Sequence, residues 1–306
     1  MFDNSIFEWY TEEQLKYLAF WKKGLYKFVK IPKKDWWIRE LKIPTYKLKV
    51  LQRRILDEIL NEKSIVLIDN VTWFLKNKSI IDNANYHIWK KYLLKIDIKD
   101  FFPSIWQDRV FWLFKSLFLL DHDLCNYLSW ICCRNNELPQ WSPASPMLAN
   151  LIARGIDYRI HWLLKKFNLN IWISYSRYAD DLCFSFNKKI NFNKFIEIII
   201  DIIISEWFYP NYSKIHLFSS WSNQMVTWIV VNEKLWYWRK RYNKFKSLLN
   251  NIKNNWFDTE IEKWNIIHKT NINNIEDFKS IIIWHLNFIK QITPEYYNNL
   301  QKYNIL

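Results

Sequence analysis

Hydrophobic and polar positions follow two periodicities along the chain. Over residues 1–30, Tyr10, Leu15, Leu18, Phe20, Leu25 and Phe28 have the aromatic and aliphatic spacing of a helix. Residues 28–43 alternate about a turn at Lys34-Asp35, the pattern of a β-hairpin. Leu48, Leu51, Ile55 and Ile59 then share one face of another helix. Tyr92 to Ile96 is a short apolar strand ending in Asp97. Pro146 to Phe167 reads as a helix entered through Ser145-Pro146, because proline suits a first helical turn. Ile173 to Tyr178 and Leu182 to Phe186 are two strands joined at Ala179-Asp180-Asp181. Phe192 to Glu206 is amphipathic, with Glu197, Asp201 and Ser205 on its wet face. Residues 214–232 predict a further strand pair, and from Asn232 the chain turns helical and basic. No internal repeat and no Pro-, Gly- or Ser-rich linker breaks this order, so the expected class is α+β.

Composition narrows the chemistry. Half of the 306 residues are hydrophobic and 24% are charged, too apolar for a disordered chain and suited to one large body or two to three lobes. The net charge of +14 points to a polyanionic partner, either nucleic acid or an anionic membrane surface. Phe195 to Ile204, the most apolar run, carries Glu197 and Asp201 and is too short to span a bilayer. The N-terminus lacks a basic-then-apolar leader, and Cys125, Cys132, Cys133 and Cys183 show no CxxC spacing. The expectation is a cytoplasmic protein with reduced thiols and no membrane partner.

Glycine and tryptophan counts are abnormal. The chain holds 2 Gly and 20 Trp, where about 7% Gly, or roughly 21 residues, is ordinary. Tryptophan also stands where turns favour glycine, as in Asp35-Trp36-Trp37 and Gln140-Trp141-Ser142-Pro143. The alternative is simply an aromatic-rich core. The counts predict that UGA codons have been written as Trp although the source organism reads them as Gly, a reassignment found in some uncultivated bacterial lineages. The abundance of Ile, Asn and Lys fits the AT-rich genomes in which reassignment occurs.

Two places put carboxylates at the end of an apolar strand: Asp97 and Asp100 in Lys95-Ile96-Asp97-Ile98-Lys99-Asp100, and Asp180-Asp181 in a tight hairpin. A carboxylate leaving a buried strand is costly unless it meets a cation. Aspartates from separate strands can hold two Mg²⁺ ions for in-line nucleotidyl transfer. Either half alone is an ordinary solvated turn; the two together in a basic chain are a candidate active site.

The residues then resemble a known family. Tyr178-Ala179-Asp180-Asp181-Leu182 resembles the catalytic hairpin of reverse transcriptases, and Asp97 to Ile105 resembles their first catalytic strand. Leu138 to Pro146 is similar to their nucleotide-pocket loop, with Trp141 where the family has Gly. Ile31 to Leu41 is similar to their fingers hairpin, with Trp36 and Trp37 for Gly. Asn83-Ala84-Asn85-Tyr86-His87 resembles the NAxxH element of retron enzymes, and Val226-Thr227-Trp228 falls where those carry Val-Thr-Gly. Trp for family Gly recurs at 36, 37, 73, 89, 141, 207, 228 and 284. Read as Trp, position 141 crowds the nucleotide pocket; read as Gly, the motif set is nearly intact.

The resemblance implies a right-hand polymerase: N-terminal helix and fingers over 1–90, palm with the pocket loop over 91–230, and helical thumb over 231–306. It implies that Asp97, Asp180 and Asp181 are catalytic and hold two Mg²⁺ ions, with the Ile98 carbonyl beside them. Asp100 is expected as a solvated or capping residue. Phe102 would stack under the incoming sugar and exclude a 2′-OH, Phe101 being a core aromatic. Gln140 would line the nucleotide pocket, Arg39 would grip the triphosphate, and Lys214 would stand near the leaving pyrophosphate. Lys33 and Lys34 either help or are solvated, and Tyr175 and Arg177 either pack or touch primer. Asn83, His87, Val226, Thr227, Trp228, Arg239, Lys240 and Arg241 are the RNA-binding candidates, His87 being equally suited to ordering its own loop. Lys234 to Lys253, interleaved with Tyr237, Tyr242 and Phe245, reads as a thumb gripping a duplex backbone, or else as a solvated helix face.

The implied function is RNA-directed DNA synthesis from dNTPs on a dedicated structured noncoding RNA, primed from a 2′-OH of that RNA. Antiphage defence with a separate effector protein follows from retron membership, and the short length implies no appended maturase or endonuclease domain. A group II intron-like or abortive-infection reverse transcriptase is the related alternative. A catalytically inactive RNA-binding protein is the alternative of another class.

Overall fold

The structure is a computed structural model describing residues 10–21, 24–32, 38–61, 67–167, 172–254, 257–268, 270 and 272–303. The chain divides into two compact units, Met1–Ser79 with Leu94–Leu217, and Ile80–Leu93 with Phe218–Leu306.

The first unit begins with α1 (Glu12–Phe20), closed at its start by a capping box between Thr11 and Gln14. The helix expected over residues 1–30 stops here. Gly24, at φ +78°, turns the chain into β1 (Tyr26–Pro32), which pairs antiparallel with β2 (Ile38–Pro44). The Lys34-Asp35 turn between them lies outside the described residues. α2 (Tyr46–Arg54) continues into a π-helical stretch, Ile55–Leu60, and buries Leu48, Leu51, Ile55 and Ile59 as their spacing requires. α3 (Ile80–Asn85) belongs to the second unit. β3 (Tyr92–Lys99) then carries Asp97, with Leu94, Ile96 and Ile98 buried around it.

α4 (Gln107–Leu117), α5 (His122–Cys132) and the long α6 (Ser145–Phe167) follow. β4 (Ile173–Tyr178) and β5 (Asp181–Phe186) form the expected hairpin. α7 (Phe192–Ser205) docks on it, setting Phe195 edge-on to Phe184 and Phe186 at 5.3 and 5.2 Å. β6 (Tyr209–Pro210) and β7 (His216–Ser219) complete a sheet of order β4-β5-β3-β6, with β7 also on β3. This order puts the strand bearing Asp97 beside the hairpin bearing Asp180 and Asp181, although 83 residues separate them in sequence.

The second unit holds β8 (Met225–Val226), β9 (Ile229–Val230) and β10 (Trp236–Tyr237), a small sheet of order β10-β9-β8. α8 (Arg239–Asn254), α9 (Phe257–His268), α10 (Ile275–Ile292) and α11 (Pro294–Gln301) follow. Tyr242, Phe245, Leu249 and Ile252 form the buried stripe of α8, and Tyr242 stacks on Tyr296 at 4.0 Å. Proline begins α11, where its missing N–H costs nothing.

Candidate active site

The acidic residues meet through backbone pairing. Tyr178 opposes Asp181 across the hairpin, which leaves Ala179 and Asp180 as a two-residue turn. Such turns need positive φ, and Ala179 takes φ +55°. The Ile98 N–H donates to the Asp180 carbonyl at 2.9 Å, tying that turn to β3 next to Asp97. Asn211 fixes Asp97 from the other side: its N–H donates to the Asp97 carbonyl at 2.7 Å, and its side-chain amide to Oδ2 at 3.2 Å.

Charge is unevenly balanced here. The Lys214 ammonium bonds both carboxylate oxygens of Asp97, at 2.9 and 3.1 Å. Lys95 lies 3.4 Å from Asp181. Burial pushes the Asp180 carboxyl up to about 6, the charges of Asp97 and Asp181 push the same way, and Lys214 only partly offsets them. A desolvated carboxylate beside two others calls for a cation. The donors are hard oxygens, the set that suits Mg²⁺. Among the described residues no group of three or more acidic, His or Cys side chains forms a ready cage; Asp97, Asp180 and Asp181 are the residues that would hold an ion there, the rest of its ligands then having to come from phosphate and water.

Around this centre, Phe102 is half-buried, with the Trp73 ring edge-on at 5.8 Å. Phe101 is buried and stacks on Phe208 at 5.5 Å, the packing residue of the two. Trp73 also meets the Tyr178 ring at 6.4 Å. Asp100 is exposed at φ +47°, and its carbonyl accepts from Ser104. Gln140 is half-buried and Trp141 exposed, in the loop that leads into α6. Arg39 stands in β2 opposite Ile31, its side chain outside the described residues. Lys33, Lys34, Trp36 and Trp37 lie outside them altogether. Tyr175 and Arg177 are fully buried in the core.

A second set gathers in the other unit. The Asn83 amide donates to the Thr227 hydroxyl at 3.4 Å, and that hydroxyl donates to the Ile80 carbonyl at 3.1 Å. Asn83, His87, Val226 and Thr227 are all buried. They fix the β8–β9 turn to α3, and that turn presents Trp228. Trp228 is exposed with the Arg241 guanidinium over its ring at 4.2 Å, and Arg239 and Lys240 are exposed beside it in sequence. Tyr237, Tyr242 and Phe245 are likewise buried, so these aromatics pack the unit while the basic residues between them face solvent.

Comparison with known proteins settles the family. Residues 31–272 match the family described as reverse transcriptase (RNA-dependent DNA polymerase). The chain belongs to the reverse transcriptases. It is of retron type and is an RNA-directed DNA polymerase, as its relatives indicate. It is 34% identical over 243 residues to the retron Ec86 reverse transcriptase of Escherichia coli, covering 78% of this chain and 74% of that protein. It is 35% identical over 176 residues to the retron Ec83 reverse transcriptase of the same species, covering 54% of each chain. The retron Mx65 reverse transcriptase of Myxococcus xanthus is 26% identical over 237 residues, 72% of this chain and 54% of that protein. A telomerase of Candida albicans, solved with a fragment of telomeric RNA, superposes with TM-score 0.50 at 12% identity. That match covers 90% of this chain and 61% of that one, and shows a shared fold.

Sequence reasoning missed Asn211, Lys95 and Asp157. Asp157 left one signal: it interrupts the apolar stripe Ala153, Ile156, Ile160 and Leu164 on α6. Asn211 and Lys95 left none, because their partners are set by strand pairing.

Proposed function

We propose that this reverse transcriptase copies a dedicated structured RNA into DNA from a primer that is a 2′-OH of that RNA, in the cytoplasm, and serves antiphage defence with a separate effector protein. The observation that carries the catalytic part is the convergence of Asp97, Asp180 and Asp181, with a half-buried Asp180 whose charge Lys214 only partly offsets. Asp97 and Asp180 would hold two Mg²⁺ ions with the Ile98 carbonyl, and Asp181, beside Lys95, would support them. When bound, such ions activate a primer hydroxyl and steady the triphosphate. Lys214, which pairs with Asp97, would turn toward a phosphate oxygen of the nucleotide.

Phe102 would back the incoming sugar, Gln140 the base side, and Arg39 the triphosphate. The functional division is fingers over 1–90, palm over 91–230 and thumb over 231–306. The turn at position 228, with Arg239, Lys240 and Arg241, would contact the RNA, supported from within by Asn83, His87, Val226 and Thr227. No helix among the described residues is long and apolar enough to cross a membrane.

The test is synthesis from purified protein, dNTPs, Mg²⁺ and RNA transcribed from the sequence beside the gene, with no added primer. The expected product is DNA joined to RNA and released by a 2′–5′ debranching enzyme. DNA made only when a separate primer is supplied would favour the intron-like or abortive-infection reading.

A further inference from the structure

We propose that Arg177 and Asp157 are positioning residues that set the acidic turn and so place Asp180; this rests on the catalytic reading of Asp180. Arg177 is fully buried and makes a bidentate pair with Asp157 of α6, Nε to Oδ1 at 2.8 Å and Nη2 to Oδ2 at 2.6 Å. Its Nη1 donates to the Asn150 side chain and to the Ala179 carbonyl, each at 3.2 Å. The Tyr175 hydroxyl donates to Asp157 at 2.7 Å, and Asn150 donates onward to the Trp73 carbonyl at 2.7 Å. Ala179 sits at φ +55°, which a non-glycine residue keeps only where its surroundings impose it. The carbonyl before Asp180 is held by Arg177 and the carbonyl after it by the Ile98 N–H, so both peptide planes flanking Asp180 are fixed. The rigid guanidinium fork relays the position of α6 to the turn. Replacing a buried ion pair by apolar side chains of like volume is often neutral for stability, so packing alone does not call for one here.

The experiment is the triple variant Arg177→Met, Asp157→Leu, Tyr175→Phe, which removes the pair without leaving a charge unpaired. Melting and duplex binding should stay near wild type and the KM for dNTP within about threefold, while kcat falls roughly tenfold to a hundredfold. If the triple variant does not fold, Arg177→Lys decides: it keeps the cation but lacks the fork, and its kcat should fall at least about tenfold with KM unchanged. Wild-type kcat in either folded variant overturns the positioning role. An inactive wild type overturns the catalytic reading itself.

Independent observations carry a second inference. We infer that Trp89, Trp207 and Trp228 occupy glycine positions and that the natural protein carries glycine there, its UGA codons being read as Gly. Their φ values are +60°, +60° and +73°, and they are 71%, 74% and 57% exposed, so burial does not offset the strain. Trp207 is the residue after the C-cap of α7. Its N–H bonds the Ile204 carbonyl and the Phe208 N–H the Ile203 carbonyl, the two bonds of a Schellman motif whose left-handed residue is usually Gly. Thr227 and Trp228, both at positive φ between paired Val226 and Ile229, form a type I′ hairpin turn, which favours Gly at the second place. Of the two glycines that remain, Gly24 takes the same left-handed conformation, at φ +78°. Peptide mass spectrometry of the protein from its native source should find glycine at 89, 207 and 228, and the recombinant chain with Gly at all three should melt roughly 5–10 °C above the Trp form. Tryptophan in the native peptides overturns the inference.

Discussion

Burial and two neighbouring carboxylates bring the Asp180 carboxyl up to about 6, and the direction of that shift has consequences for stability. Between the ordinary carboxylate range and about 6, the folded protein holds a proton that the unfolded chain has released. Stability therefore falls as pH rises through that window and stays low above it. Without divalent metal, Asp180→Asn should stabilise the protein at pH 7.5 by on the order of 1–3 kcal/mol. The gain should vanish near pH 4, and urea unfolding at the two pH values measures both. A variant no more stable than wild type at pH 7.5 would contradict the buried, crowded carboxylate. Phe102 is the other residue on which a specific outcome depends. Its half-buried ring stands between Phe101 and Trp73. Phe102→Ala should cut discrimination against rNTPs by roughly ten- to a hundredfold in kcat/KM; unchanged discrimination would make it a packing residue.

At the scale of elements, a buried ion pair between Arg177 of β4 and Asp157 joins the sheet to α6. Asp157→Ala would leave the Arg177 charge unpaired in the core and should cost about 3–5 kcal/mol in chemical denaturation. A loss below about 1 kcal/mol would mean the charge finds water or another partner. The β4–β5 hairpin and the start of α6 were legible in sequence because their signals are local: apolar alternation around an acidic turn, and proline at a helix entrance. The hairpin over 28–43 is legible from its alternation, but the start of β1 at Tyr26 and Lys27 falls within the expected helix, because the apolar spacing of α1 runs on past its end at Phe20 and past the left-handed Gly24. The acidic triad was legible as two motifs. The contacts that arrange it were not, since Lys214, Asn211 and Asp157 reach their partners across 117, 114 and 20 residues of chain. Asn83 and Thr227 were recognised as a pair of motifs, yet their burial depends on the packing of α3 against the β8–β9 turn.

At the scale of the whole molecule, a net charge of +14 is shared between a unit that carries the acidic site and a unit whose α8 exposes Arg239, Lys240, Arg241 and Lys244. Replacing Arg239, Lys240 and Arg241 with Ala should weaken RNA binding for all sequences alike and flatten its salt dependence by about three in log–log slope. An unchanged slope would place the RNA elsewhere. The acidic site is predicted to be separable from that binding, because its charges serve the chemistry and not the grip. The direct measurement is DNA synthesis on RNA by wild type and by the double variant Asp180→Asn, Asp181→Asn, with RNA affinity measured on the same preparations. The account predicts that synthesis is lost while affinity stays within about threefold, since neither carboxylate is among the groups that neutralise phosphates. Synthesis at the wild-type rate in the double variant would contradict it.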